Sequence, residues 1–181
     1  TAEQKQWTQV RLYNYSSASD TIHYFRPSYA INSMYKNVKP AWQFNDKSDI
    51  GSGATITKEL VIVSNTNGSI YALDQKSGKK IWSYTTNGKI YSTPVSENNL
   101  VVVASTDNNI YCLNTQTGKL IWKFETQKPI VANALIKNKT VYIGSSDGHF
   151  RALDLNNGNL KWDFDGVKGF VVTTPLFYNN K

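Results

Sequence analysis

Trp82, Trp122 and Trp162 stand 40 residues apart, and Trp42 carries the series one step back. Gly78, Gly118 and Gly158 keep the same step, each four residues before its tryptophan. Six residues before each glycine stands a small residue: Ala72, Cys112 or Ala152. A single layered domain has no need of such a register. A fixed period of this size marks stacked units, and where the units are made of strands they read as propeller blades.

Each period holds four strand signals. Trp42, Trp82, Trp122 and Trp162 are each followed two residues later by Phe44, Tyr84, Phe124 or Phe164. With a strand's period of two, both rings fall on one face. The small-residue stretches 50–54, 90–94 and 130–134 read as an innermost strand at the crowded centre of a ring. The apolar runs 60–63, 100–103 and 141–143 suit strands covered on both faces. Asn67-Gly68, Asp107-Asn108 and Asp147-Gly148 follow as tight-turn signals, because these residues accept a positive φ. A further strand and the repeated glycine turn lead back to the tryptophan. The expected fold is all-β: a partial β-propeller of about three four-stranded antiparallel blades with flanking strands. The blades are placed at about 50–84, 90–124 and 130–164, with the start of a fourth at 170–177.

Residues 1–38 stand outside the repeat. Residues 7–15 and 21–25 are rich in strand formers and read as a hairpin across a turn at 16–20. Pro27, Asn32, Ser33 and Pro40 mark a connector. The expected division is an N-terminal extension at 1–38, the end of an upstream domain, and a partial propeller at 39–181. The sequence starts Thr1-Ala2 without Met, as a processed or excised chain would. The array opens on an outermost strand at Trp42 and closes on an innermost one near Leu176. That offset is what ring closure by strand exchange produces, so a piece of a larger propeller is expected. Its open sheet edges favour self-association.

Hydrophobic residues at 40% and charged residues at 18% describe a globular chain. The net charge is +7, but of the basic residues only Arg11, Arg26 and Arg151 are arginine. Base readers rely on arginine's paired donors and cluster their charge. Lysines scattered through turns read instead as a solvated rim, so no nucleic-acid partner is expected. No apolar run reaches the roughly 20 residues of a membrane-spanning helix. The single cysteine, Cys112, excludes an internal disulfide and a cysteine-rich metal site.

The run Ala72…Gly78…Trp82 and its copies resemble the tryptophan-docking motif of quinoprotein-type (PQQ-like) propeller repeats, over residues 41–178. The resemblance implies that Trp42, Trp82, Trp122 and Trp162 dock between blades. Their seats would be the surfaces formed by Ala72 and Gly78, Cys112 and Gly118, and Ala152 and Gly158. Cys112 then serves as a packing atom in the alanine slot. WD-type repeats want Asp after Trp, and only Trp162-Asp163 offers it. The stretch 25–32, leading into 38–42, is similar to a junction in secreted bacterial proteins. There a calcineurin-like metallophosphoesterase precedes a C-terminal quinoprotein-like propeller. This second resemblance implies a periplasmic or secreted chain, with divalent metals only in the upstream domain.

Chemistry is hard to place on these residues. Quinone-binding dehydrogenases carry adjacent cysteines, which are absent, so no pyrroloquinoline quinone (PQQ) is expected. The Asp-x-His and Gly-Asp-x-x-Asp elements of a two-metal phosphoesterase are missing, and Asp20 and His23 have the wrong spacing. His23 and His149 lie far apart without a ligand pattern. Asp107-Asn108-Asn109 lacks the downstream Glu of a calcium loop. No catalytic, cofactor or metal residue is assigned. Arg151 stands where the other repeats have Tyr71 and Tyr111, and is the one candidate ligand-facing position. The leading expectation is a non-catalytic binding or scaffold module, accessory to a secreted metallophosphoesterase. It would offer a surface to partner proteins or to the parent's substrate. Two alternatives remain open: a propeller scaffold of outer-membrane protein assembly, and a remnant of a quinoprotein dehydrogenase that no longer binds quinone.

Overall fold

The computed structural model describes residues 39–166 and 169–177. The hairpin expected at 7–25 and its connector lie outside the described residues. The chain divides into Thr1–Lys39 and Pro40–Lys181, and the repeats occupy the second unit.

The first blade is β1 (Thr55–Ile56), β2 (Leu60–Ser64), β3 (Ser69–Asp74) and β4 (Lys80–Thr85). The second is β5 (Val95–Glu97), β6 (Leu100–Ala104), β7 (Asn109–Asn114) and β8 (Leu120–Glu125). The third is β9 (Leu135–Lys137), β10 (Thr140–Gly144), β11 (Phe150–Asp154) and β12 (Leu160–Phe164). Each is a four-stranded sheet in which every strand pairs with its chain neighbours. All pairs are antiparallel, as the tight turns require. Gly68, Asn108 and Gly148 turn with φ of 84°, 70° and 86°. The chain is thus all-β and fits a partial propeller.

The core lies between blades. Alternate residues of β6 enter different clusters: Val101 and Val103 pack with β2, β3 and Trp82 of blade one. Val102 and Ala104 pack with Val141, Ile143 and Leu153 of blade three. This is why the run reads as continuously apolar: a strand in the middle of a stack has no solvent face. Each third strand also slips register against the fourth, between Ala72 and Leu73, Cys112 and Leu113, and Ala152 and Leu153. The extra residue re-aims the outer strand, so that Ile81 is exposed while Trp82 is buried.

The innermost strands differ from the expectation. They are short and begin at Thr55, Val95 and Leu135, after the small-residue stretches that were read as strands. Those stretches spend their polar groups between blades instead of in a ladder. Gly53 N donates to Thr93 Oγ1 at 3.0 Å and Thr93 N to Asn133 Oδ1 at 2.6 Å. Asn133 Nδ2 then donates to Thr174 Oγ1 at 2.8 Å. Pro94 has no N–H to give a ladder. The stretch expected to open a fourth blade behaves the same way. Residues 170–177 form no strand, and Val171 N donates to Ser145 O at 3.3 Å just as Ile130 N does to Ser105 O.

Candidate functional site

The repeated contacts are those between blades. Gly78, Gly118 and Gly158 turn with φ of 70°, 68° and 74°, a backbone that an L side chain resists. Each glycine also lies under an indole. A Cβ at Gly118 would stand 2.7 Å from Cδ2 of Trp82, and one at Gly158 2.7 Å from Cδ2 of Trp122. At Gly78 the neighbour is Trp42, at 2.5 Å. The indole N–H donates to a backbone carbonyl beside that turn. Trp42 reaches Gln75 O at 2.9 Å, Trp82 reaches Thr115 O at 2.7 Å, and Trp122 reaches Leu155 O at 2.8 Å. Ala72, Cys112 and Ala152 pair across the ladder with Trp82, Trp122 and Trp162, and are fully buried. Trp162 lies over no glycine among the described residues and is 45% exposed, against 8% for Trp82 and Trp122.

Burial pushes the Cys112 thiol up to about 12. Its sulfur sits 3.9 Å from Leu155 O, in the contact with blade three.

Arg151 is 5% exposed, so the structure corrects the idea of a ligand-facing side chain. Its guanidinium meets Asp147 Oδ2 at 2.9 Å and Asp163 Oδ2 at 3.4 Å, and donates to Ser145 Oγ at 2.9 Å. Blade two shows what the position does, because Tyr111 donates its hydroxyl to Asp107 Oδ2 at 2.8 Å. Asp107 Oδ2 also accepts from Asn87 N at 2.8 Å, and Asp147 Oδ2 from Gln127 N at 3.1 Å. Each carboxylate therefore straps its blade to the one before. Tyrosine and arginine are two ways to anchor the same strap. Burial alone would raise Asp147. The hydrogen bonds from Arg151, Ser145 and the backbone of His149 and Gln127 outweigh it and hold the carboxyl well below its usual range. Burial and the bond to Asp107 push the Tyr111 phenol well above its own.

His149 Nδ1 lies 2.8 Å from Asp163 Oδ1, at the edge of this cluster. His23 is outside the described residues. Among the described residues no group of three or more His, Cys, Asp and Glu is arranged to hold a metal, and no helix is long and apolar enough to cross a membrane.

A cleft of about 380 Å³ opens beside blade one, lined by Trp42, Phe44, Ile50, Val61, Val63 and Leu73 among others. Sequence reasoning did not find it. Residues 42–45 form no strand here although they carry the Trp-x-Phe signal. The signal names the outer strand but says nothing of the partners that would pair with it.

A family model described as outer membrane protein assembly factor BamB matches residues 36–163. The structure of BamB from Moraxella catarrhalis is similar at 26% identity and a TM-score of 0.62, over 68% of this chain and 39% of that one. The computationally designed Ika4 protein is similar in fold at 22% identity and a TM-score of 0.68, over 75% of this chain and 84% of that one. A europium-containing methanol dehydrogenase shares the fold at 23% identity and a TM-score of 0.61, over 69% of this chain and 26% of its own. The chain thus spans about two fifths of the BamB structure it resembles (39%). A sequence search of curated proteins finds no match. A match that runs through all three blades makes the chain a member of the family of PQQ-like repeats described as outer membrane protein assembly factor BamB.

Proposed function

We propose that this chain is a non-catalytic scaffold module that works outside the cytoplasm, in outer-membrane protein assembly. The observation that carries this reading is the family match over residues 36–163. The use of its polar groups supports it too. Arg151, Asp147 and Asp163 satisfy one another inside blade three, and Cys112 is sealed between blades. The tryptophan contacts act as docking joints that fix blade to blade and give the module a rigid surface. The partner is a protein of the assembly machinery.

Photo-cross-linking from blade-surface positions of the native polypeptide, in the cells that make it, tests this. Adducts with outer-membrane assembly proteins are the expected result. An accessory role beside a metallophosphoesterase rests on the junction at 25–42 alone. Metal-dependent phosphatase activity that copurifies with the native polypeptide, with no assembly adducts, would replace the scaffold reading by that one. The module takes no quinone, so titration with pyrroloquinoline quinone is expected to leave its absorbance unchanged.

The 181-residue chain also associates with itself through the face of blade three that carries Trp162 and Phe164, 45% and 55% exposed. The occupant is a second copy, whose cleft beside Val61 and Val63 has the matching apolar chemistry. Such a contact is head-to-tail. A mass that rises with concentration in light scattering is expected, and a strictly monomeric mass would overturn it.

A further inference from the structure

The two ends of the blades carry opposite charge. In each blade the turn joining the first and second strands and the turn joining the third and fourth lie at one end. Backbone bonds tie these turns together: Gln75 N donates to Glu59 O, Thr115 N to Asn99 O and Leu155 N to Lys139 O. At the other end lie the turns between second and third strands and the loops between blades, tied by Thr66 N to Asp49 O and Thr106 N to Lys89 O.

The first end is basic. Its turns carry Lys58, Lys76, Lys79, Lys119 and Lys139, all exposed, against the single carboxylate of Glu59. None of the five lysines enters an ion pair among the described residues. The carboxylates flanking these turns, Asp74, Glu97 and Asp154, keep their charge, but Lys80, Lys137 and Lys161 at the same end match them one for one. Asp74 Oδ1 accepts from Ser77 N at 2.7 Å and from Ser77 Oγ at 2.6 Å. Asp154 accepts from Asn156 N at 2.9 Å and pairs with Lys161 at 3.3 Å. The opposite end leans acidic, with Asp46, Asp49, Asp107, Glu125 and Asp165 against Lys47, Lys89 and Lys128, while Asp147 there is paired with Arg151.

Large apolar side chains adjoin the basic end. Ile81, Leu120 and Ile121 open the outer strands straight after lysine turns, Leu160 holds the matching place in blade three, and all four are 41–51% exposed. We propose that this lysine-turn end of the blades is a docking face for an anionic lipid surface. Free lysines set on separate turns act as point charges toward a diffuse negative surface, which has no fixed geometry to match. The array of turns lacks the arginine fork and the stacking aromatics that a nucleic acid would reward. Exposed Ile and Leu beside lysine suit the boundary between headgroups and acyl chains. The acidic end would face away from the bilayer, so the charge asymmetry also orients the module.

Sedimentation of the full chain with vesicles tests this, comparing phosphatidylcholine alone with phosphatidylcholine containing phosphatidylglycerol. Binding to the anionic vesicles only is expected, falling steeply as salt rises. Each removed lysine should weaken partition about five-fold. The variant Lys76→Gln/Lys79→Gln/Lys119→Gln should therefore lose about a hundred-fold, with its circular dichroism unchanged. The variant Lys47→Gln/Lys89→Gln/Lys128→Gln removes the same charge from the other end and should bind as the parent does. Equal losses in both variants would overturn the proposal, because net charge and not this face would then be at work. Equal binding to neutral vesicles would overturn it as well. So would single-stranded DNA or polyglutamate outcompeting the vesicles at matched charge, each naming a different class of partner.

Discussion

Blade two and the outer flanks of the array are written in nearly the same sequence and end in different states. Val101 and Val103 are fully buried against blade one, while their counterparts Val61 and Val63 line an open cleft. Trp122 is 8% exposed, and Trp162, from the same motif, is 45% exposed. The repeat therefore encodes half of an interface. Whether a residue becomes core depends on the neighbour that supplies the other half. A motif match alone cannot say which tryptophans hold the molecule together.

The sharpest way to break this comparison is to truncate the two tryptophans in parallel. Trp122→Ala removes a buried ring and its bond to Leu155 O, and is expected to cost about 4 kcal/mol in urea unfolding. Trp162→Ala is expected to cost about 2 kcal/mol, since its half-exposed ring keeps only the contacts with Tyr142 and Phe150. Equal losses would mean that the motif is structural within its own blade, whatever lies beside it.

The second comparison sets the Arg151 strap against the Tyr111 strap. Arg151→Ala would strand the Asp147 carboxylate, whose side chain is 1% exposed, at an expected cost of about 3 kcal/mol. Arg151→Tyr should recover most of that loss, since Tyr111 anchors Asp107 in the same way. The pH dependence follows from the lowered Asp147. Its unfolded value lies near 3.9, and its folded value lies below that. The stabilisation is therefore complete above about pH 5 and is lost as pH falls through the folded value. The difference in thermal midpoint between the parent and Asp147→Asn should be constant near neutrality and narrow on acidification. A difference that persists in strong acid would show that the strap does not depend on charge.

Much of this fold was legible because its signals repeat. A single Asn-Gly or Trp-x-Tyr is weak, but copies at a 40-residue step support one another, and blade order and turn positions followed from them. The inner strands were misplaced because small residues look the same in a short strand and in a connector that bonds sideways. Only the cross-blade bonds of Gly53, Thr93 and Asn133 tell them apart. Arg151 was misread for a related reason. Departure from Tyr71 and Tyr111 looked like a site, yet the informative residue was Asp147, two residues before His149 and matching Asp107. The signal was Arg151 and Asp163 standing where blade two has Tyr111 and Lys123, around a carboxylate that these two blades share. The charge asymmetry went unseen because net charge carries no direction until the turns are assigned to ends.

Glycine gives a smaller effect with the same logic. Gly118→Ala meets both a φ of 68° and the ring of Trp82, so a loss of about 2–3 kcal/mol is expected. Gly78→Ala meets Trp42 at an equally short distance, but the segment around Trp42 belongs to no sheet and can lift away. Its loss should stay near the backbone cost of about 1–2 kcal/mol. Matched losses would mean that Trp42 is held as firmly as Trp82.

Cys112 offers the finest test, since its side chain fills a slot that alanine fills in the other blades. Cys112→Ala should cost about 1 kcal/mol or less, the transfer of one small apolar group. Reactivity separates the regions better than stability does. With its thiol pushed up to about 12 by burial, Cys112 is protonated at neutral pH and reacts only when blades two and three part. In the Cys112→Ala background, Ala152→Cys places a thiol beneath Trp162, equally hidden in the static structure. Local opening on the flank costs less than separating two packed blades. The thiol at position 152 should therefore be labelled by iodoacetamide at lower urea than the one at 112. Labelling of both only at global unfolding would show that the flank opens no more readily than the middle.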